Sequence, residues 1–190
     1  MSIETPIAPA QAYVPLRLAG RPLALKAVVV LLGVAFLTAA SWVQVPMWPV
    51  PMTMQTFAVL MVGALCGWRL GVATVLLWLA LSVPLPLLSE FKTLLMVATT
   101  HGYLAAFPIM AAFVGIMAER GWTARPIPAA LTLLVAEVTC FTLGVAWLSH
   151  VIGFDKAVAF GLVPFIVGDL VKTALAVALL TVFRRTLPAQ

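Results

Sequence analysis

"VPFIVGDLVKTALAVALL", residues 163–180, has the length and composition of a membrane-spanning helix, yet Asp169 and Lys172 sit inside it. About 20 mainly apolar residues cross a bilayer as a helix. A charge facing lipid at that depth costs about 3 kcal/mol or more. Both side chains must therefore face the interior of a bundle or a water-filled cavity. Residues three apart share a helix face, so the two belong to one place. At a rise of 1.5 Å per residue, Asp169 lies about 9 Å along the axis from Val163. Two readings are open: a polar ligand site, or a structural ion pair that locks two helices.

The rest of the chain supplies the bundle. Of 190 residues, 64% are hydrophobic and only 9% are charged. A soluble domain has about a quarter charged residues, so this is an integral membrane protein of spanning helices. The length suits one compact bundle without a second soluble domain. Six apolar segments stand out, at roughly 23–42, 53–66, 70–88 (interrupted by "VPLP" at 83–86), 103–118, 128–148 and 160–183. The organisation expected is a tail over 1–22, a six-helix membrane domain over 23–185 and a second tail over 186–190. "LTAA" at 37–40 loosely mimics a signal-peptidase site, but the run before it is longer than a usual signal core and reads as a retained span.

The net charge of +5 is informative by position. Arg17, Arg21, Lys26, Arg69, Arg120, Arg125, Arg184 and Arg185 fall on one side of the six-span arrangement, and only Lys92 and Lys156 fall on the other. The excess of positive residues marks the cytoplasmic side, so both termini are expected there and the Asp169–Lys172 pair in the outer half. No basic patch interleaved with aromatics suggests nucleic acid. Cys66 and Cys140 lie in apolar runs and read as small buried hydrophobes, not a disulfide. No P-loop, GxSxG or HExxH motif and no metal-ligand spacing occurs, so neither ATP hydrolysis nor a known hydrolytic centre is expected.

Several further residues could serve a site near the outer face. Trp42 and Trp48 bracket the first outward loop, which Pro46, Pro49 and Pro51 stiffen. Such a loop closes over a ligand at reduced entropic cost, although an interfacial aromatic belt has the same composition. In "PMTMQTFAVL" (51–60), Thr53 and Gln55 offer hydrogen bonds where the second span begins; capping and solvation are the plainer alternatives. In "TTHGYLAAF" (99–107), Gly102 permits close approach and Tyr103 brings a ring with a hydroxyl, while His101 reads as a solvated loop residue. Glu137, in the middle of the fifth span, needs a partner, for which Lys172 is the natural candidate, or else sits neutral against a neighbouring helix. Ala35 and Ala39 share a face of the first helix at the small-xxx-small spacing that lets another helix approach.

Taken together these segments resemble the BioY family, the biotin-specific substrate-binding (S) subunits of energy-coupling-factor (ECF) transporters. "PVPMTMQTFAVLMVGALCGWRLG" (49–71) is similar to the family's P-x-P-x-T-x-Q-T start and G-x-x-x-G end with a basic residue following. "GYLAAF" (102–107), "TLGVAWL" (142–148) and "AVAFGLVPFIVGDLVKTALA" (157–176) resemble its last three spans, with "PFIVGDLVK" the most specific piece. The long outward loop departs from the pattern: Thr99 and His101 stand where the family has Pro and a first Gly, and Trp78 stands where a tyrosine is more usual.

The resemblance implies a six-helix S-component fold in a bacterial inner membrane, with outward loops capping a biotin pocket. It implies a binding subunit and not an enzyme, energised by a separate transmembrane coupling subunit and two ABC-type ATPases. By motif, Asp169 and Lys172 would be pocket residues, with Gly102, Tyr103, Thr53 and Gln55 beside them. Trp42 and Trp48 would form apolar cover, and the Ala35–Ala39 face would dock the coupling subunit. Asp169 would accept a ureido N–H, and Lys172 would orient Asp169 or neutralise the valerate carboxylate. Biotin's two N–H donors, carbonyl, apolar bicycle and carboxylate suit these side chains. Other small vitamins would suit them too, and an intramembrane enzyme or a purely structural bundle also fits the residues alone.

Overall fold

The structure is a computed structural model that describes Leu16, Leu18, residues 20–82 and residues 94–186, with the side chains of 94–97 excepted. Most of both tails, Arg17, Lys92 and the "VPLP" interruption lie outside the described residues. The elements in order are α1 (Leu23–Trp42), β1 (Gln44–Val45), β2 (Met52–Thr53), α2 (Gln55–Ser82), α3 (Leu94–Glu119), a single 3-10 turn (Trp122–Ala124), α4 (Pro126–Ile152), α5 (Phe154–Gly161) and α6 (Phe165–Thr186). Five helices are long and apolar enough to cross a membrane. The molecule is a multi-pass, all-α membrane protein.

Its surface shows the same thing from outside. Leu31, Leu32 and Phe36 on α1, Leu131, Val135 and Val138 on α4, and Val167, Leu170 and Val171 on α6 are all exposed. A soluble monomer does not leave such bands uncovered; here they meet lipid. Asp169 and Lys172 occupy the opposite face of α6, buried between these exposed neighbours.

The 28 residues of α2 are not one rod. Gly67 has φ 77° and ψ 174°, far from helical values. Positive φ is readily available to glycine alone. The two arms fold back on each other: a methyl placed on Gly71 would lie 3.1 Å from the Gly63 Cα. In a straight helix those residues would be about 12 Å apart. The expected loop between the second and third apolar segments is thus compressed to one residue. Glu119 at the end of α3 closes this turn by accepting the Trp68 N–H at 3.1 Å.

Helix α3 begins at Leu94, not near Tyr103 as the polar run "ATTHG" suggested. No proline interrupts 94–107, and the polar side chains are accommodated on the helix. Thr99 donates to the Pro49 carbonyl at 2.9 Å, which ties the connection between α1 and α2 to α3. His101 is an exposed helical residue set edge-on to Trp147, with ring centroids 5.9 Å apart. The connection between α4 and α6 is also mostly helical. α4 runs on to Ile152, Gly153 turns the chain at φ 88°, and the short α5 follows before α6. Between Trp42 and Gln55 the chain forms a two-stranded antiparallel ribbon, pairing Gln44 with Thr53 and Val45 with Met52. Cys66 and Cys140 are both free.

Candidate functional site

The last helix carries the centre of the site. Lys172 Nζ lies 2.6 Å from Asp169 Oδ1, with both side chains buried. The spacing of three residues thus pairs them directly. Across from them, at the start of α2, the Thr56 hydroxyl accepts from Lys172 at 3.3 Å and is 3.5 Å from Asp169 Oδ1. Thr56 therefore joins α2 to α6 at the pair. Thr56 is not among the residues singled out from the sequence, although it is the final Thr of the P-x-P-x-T-x-Q-T stretch, which is the signal for it.

A narrow cavity opens beside this cluster, about 380 Å³ counting its open mouth. Thr53, Gln55, Thr56, Tyr103 and Lys172 give it a polar wall. Val50, Phe107 and Phe165 supply apolar surface opposite. An apolar cleft with a few placed polar groups is the usual form of a small-molecule site. A second opening beneath the ribbon, lined by Val43, Gln44 and Met52, also reaches Lys172.

Gln55 is buried, not solvated. Its carbonyl accepts from the Thr53 hydroxyl at 3.1 Å, and its backbone N–H donates to the same oxygen at 3.3 Å. The side-chain nitrogen has no partner among the described residues, and Gln55 is part of the cavity lining. Tyr103 fills another part of the wall and donates its hydroxyl to the Gly161 carbonyl at 2.8 Å. It thereby connects the cavity to the end of α5.

The other expected residues fall elsewhere. Gly102 faces α4, where a methyl in its place would lie 2.6 Å from the Leu143 carbonyl oxygen. Its observed contact is helix packing, and the cavity wall does not include it. Trp42 is exposed at the end of α1. Trp48 is exposed too, with its ring 6.5 Å from that of Phe160 on α5. Ala35 and Ala39 lie on the exposed face of α1. Glu137 is buried near Thr56, Asp169 and Lys172, and among the described residues neither of its carboxyl oxygens has a hydrogen-bond partner within 3.5 Å. The ion pair to Lys172 that its position suggested is not formed, because Lys172 is held by Asp169.

Known proteins match both the sequence and the shape. The profile of the BioY family matches residues 12–189. The probable biotin transporter BioY of Pyrococcus horikoshii is 34% identical over 151 residues, 78% of this chain and 89% of that protein. The biotin transporter BioY of Thermotoga maritima is 32% identical over 150 residues, 75% of this chain and 85% of that protein. Among solved structures, the crystal structure of the S-component for biotin from an ECF-type ABC transporter superposes with a TM-score of 0.71. It is 21% identical and covers 85% of this chain and 92% of its own, a likeness of fold. With a family profile spanning nearly the whole chain, this protein belongs to the BioY family.

Proposed function

We propose that the protein is a membrane-embedded biotin-binding S-component that captures the vitamin from outside and passes it inward. One observation carries the site assignment. Lys172, buried and paired with Asp169 behind it, and Gln55, whose amide nitrogen has no partner among the described residues, line one largely apolar cavity. A ligand with N–H donors, a carbonyl and an apolar ring system complements that wall. Asp169 accepts a ureido N–H, Lys172 holds Asp169 oriented before the ligand arrives, and the Gln55 amide donates to a ligand oxygen. Thr53 fixes Gln55, and Tyr103 forms the side of the pocket. Trp48 and the stiff loop 46–51 cover it together with α5, and Trp42 anchors the loop's near end at the membrane interface. Gly102 supports the pocket through packing.

The fold-back at Gly67 gives the long α2 two crossings, hence six spans over 23–185. That count returns both termini, including the tails over 1–22 and 186–190, to the side rich in Arg and Lys, the cytoplasm. The exposed Ala35–Ala39 face suits docking by a transmembrane coupling subunit with its two ATPases. No reaction on the ligand is part of this reading.

The test is biotin binding to the purified protein in detergent, beside Asp169→Asn and Lys172→Ala. Binding is expected in the wild type and weakened at least about a hundredfold in each variant, since the first removes the charged acceptor for a ligand N–H and the second the cation that orients it. A folded wild type that does not bind would remove the biotin reading. Wild-type affinity in both variants would move the site away from α6.

A further inference from the structure

Two carboxylates, Asp169 and Glu137, share a single ammonium between α2, α4 and α6. Lys172 bonds to Asp169 at 2.6 Å and to Thr56 at 3.3 Å. Glu137 is only 3% exposed, and neither of its oxygens has a hydrogen-bond partner within 3.5 Å among the described residues, with the Thr56 hydroxyl its neighbour on α2. A buried polar group left unpaired costs about 1–3 kcal/mol, and more when charged. Such a group in a folded protein calls for an explanation in function.

The helices place Glu137 level with Lys172. The Arg184 guanidinium donates to the Ala124 carbonyl, which fixes the register of the inner ends of α6 and α4. Counting outward, Lys172 lies twelve residues from Arg184, about 18 Å along α6. Glu137 lies eleven residues from Pro126, about 16 Å along α4. Thr56 faces Glu137 from α2, Asp169 and Lys172 face it from α6, and Cys140 lies one turn further along α4. Every other described Lys or Arg sits in the first or last turn of a long helix, beside the Gly67 turn, in a connection or on α5. Lys172 is the one cation among the described residues placed to reach this layer.

We propose that Glu137 is the alternate seat of the Lys172 ammonium: when a ligand N–H takes over Asp169, Lys172 turns to Glu137. The inference rests on the ligand reading above. Lysine carries a point charge on a flexible four-carbon stem, so the transfer needs rotamer changes and no helix movement. In the ligand-free protein Asp169 is paired and Glu137 is not. In the bound protein the ligand satisfies Asp169 while Lys172 satisfies Glu137. The ligand thus displaces a cation that has somewhere to go, and binding leaves fewer unpaired groups than before. A ligand shifts a two-state element only by binding the two states differently, and the exchange at Asp169 supplies that difference. Glu137 touches no ligand atom; it is a positioning residue acting through Lys172.

The experiment compares full-length wild type, Glu137→Gln and Glu137→Asp in detergent, with biotin as the probe. Thermal unfolding with and without biotin, calorimetric affinity, and the infrared difference spectrum on adding biotin are recorded. For Glu137→Gln, ligand-free melting should be unchanged or raised, because an orphaned carboxylate has gone. Affinity should fall about tenfold or more, and the biotin-induced rise in melting should shrink accordingly. The Glu137 contribution to the carboxyl region of the difference spectrum should vanish, while that of Asp169 remains. Glu137→Asp, which keeps the carboxylate one methylene shorter, should fall between the two, and carries the test if Glu137→Gln does not fold.

Unchanged affinity in both variants, or lowered ligand-free melting with unchanged affinity, would overturn the proposal and leave the biotin site standing. A difference spectrum indifferent to Glu137→Gln would do the same. A wild type that does not bind biotin would take down the functional reading and this proposal together.

Discussion

Replacing Gly102 by alanine separates two roles for one residue, packing and ligand contact. The structure sets Gly102 of α3 against α4, where the added methyl would lie 2.6 Å from the Leu143 carbonyl oxygen and 3.1 Å from the Gly144 Cα. Comfortable carbon contacts are about 3.5–4.0 Å. These two neighbours are backbone and the Trp147 Cβ, closer still, is fixed to it, so relief requires the helices to part by roughly 1 Å, and overpacking of that kind costs about 1–3 kcal/mol. Alanine's better helix propensity returns up to about 1 kcal/mol. The net is a loss of about 1–2 kcal/mol, or roughly 2–8 °C of melting temperature for a chain of this size. The pocket side of α3 is displaced only indirectly, so biotin affinity should change by less than about threefold, well under 1 kcal/mol. Detergent thermal unfolding and calorimetric titration of the same samples give both numbers. Unchanged melting with affinity lost more than about tenfold would refute the packing account and put Gly102 at the ligand.

Tyr103→Phe removes the donor to the Gly161 carbonyl while keeping the ring. Melting should fall by about 2–6 °C, measured without ligand, and an unchanged value would mean that the α5 end is held by other contacts. On the lipid-facing side of α1, the pair Ala35→Leu and Ala39→Leu should leave biotin binding by the isolated protein intact. The same pair should cut biotin uptake about tenfold or more in cells supplying a coupling module, because bulky residues block close helix approach. Uptake at the wild-type level would place the docking face elsewhere.

The membrane class was legible from composition, and the spans were legible where apolar runs stood alone, as in α1 and α6. The polar run Thr99–His101 misled about α3 because hydroxyl side chains look like loop when read one at a time. In the folded chain Thr99 spends its hydroxyl on the Pro49 carbonyl, a partner 50 positions away. The fold-back at Gly67 was legible as the break between the apolar segments 53–66 and 70–88, but not that one residue suffices for it. A single positive-φ glycine does the work expected of a short loop, and the Glu119 carboxylate that completes it comes from the end of another helix.

For the site, spacing alone joined Asp169 to Lys172, since a helix face is a local property. What spacing could not reveal is how charges on different helices divide their partners. The sequence left Glu137 either paired with Lys172, as the natural opposite charge, or neutral against a neighbouring helix. The first of these counts one acid per base. The bundle holds two acids to one base in a single layer, and Asp169, one turn away on the same helix, takes the cation first. The acid left over sits one helix distant at the same depth. A purely structural ion pair would need no third member, and a buried acid without a partner weakens the ligand-free protein. Its persistence is intelligible if another state of the same site satisfies it. The surplus acid therefore speaks for a binding site more directly than the ion pair does, because the pair alone is equally suited to locking two helices.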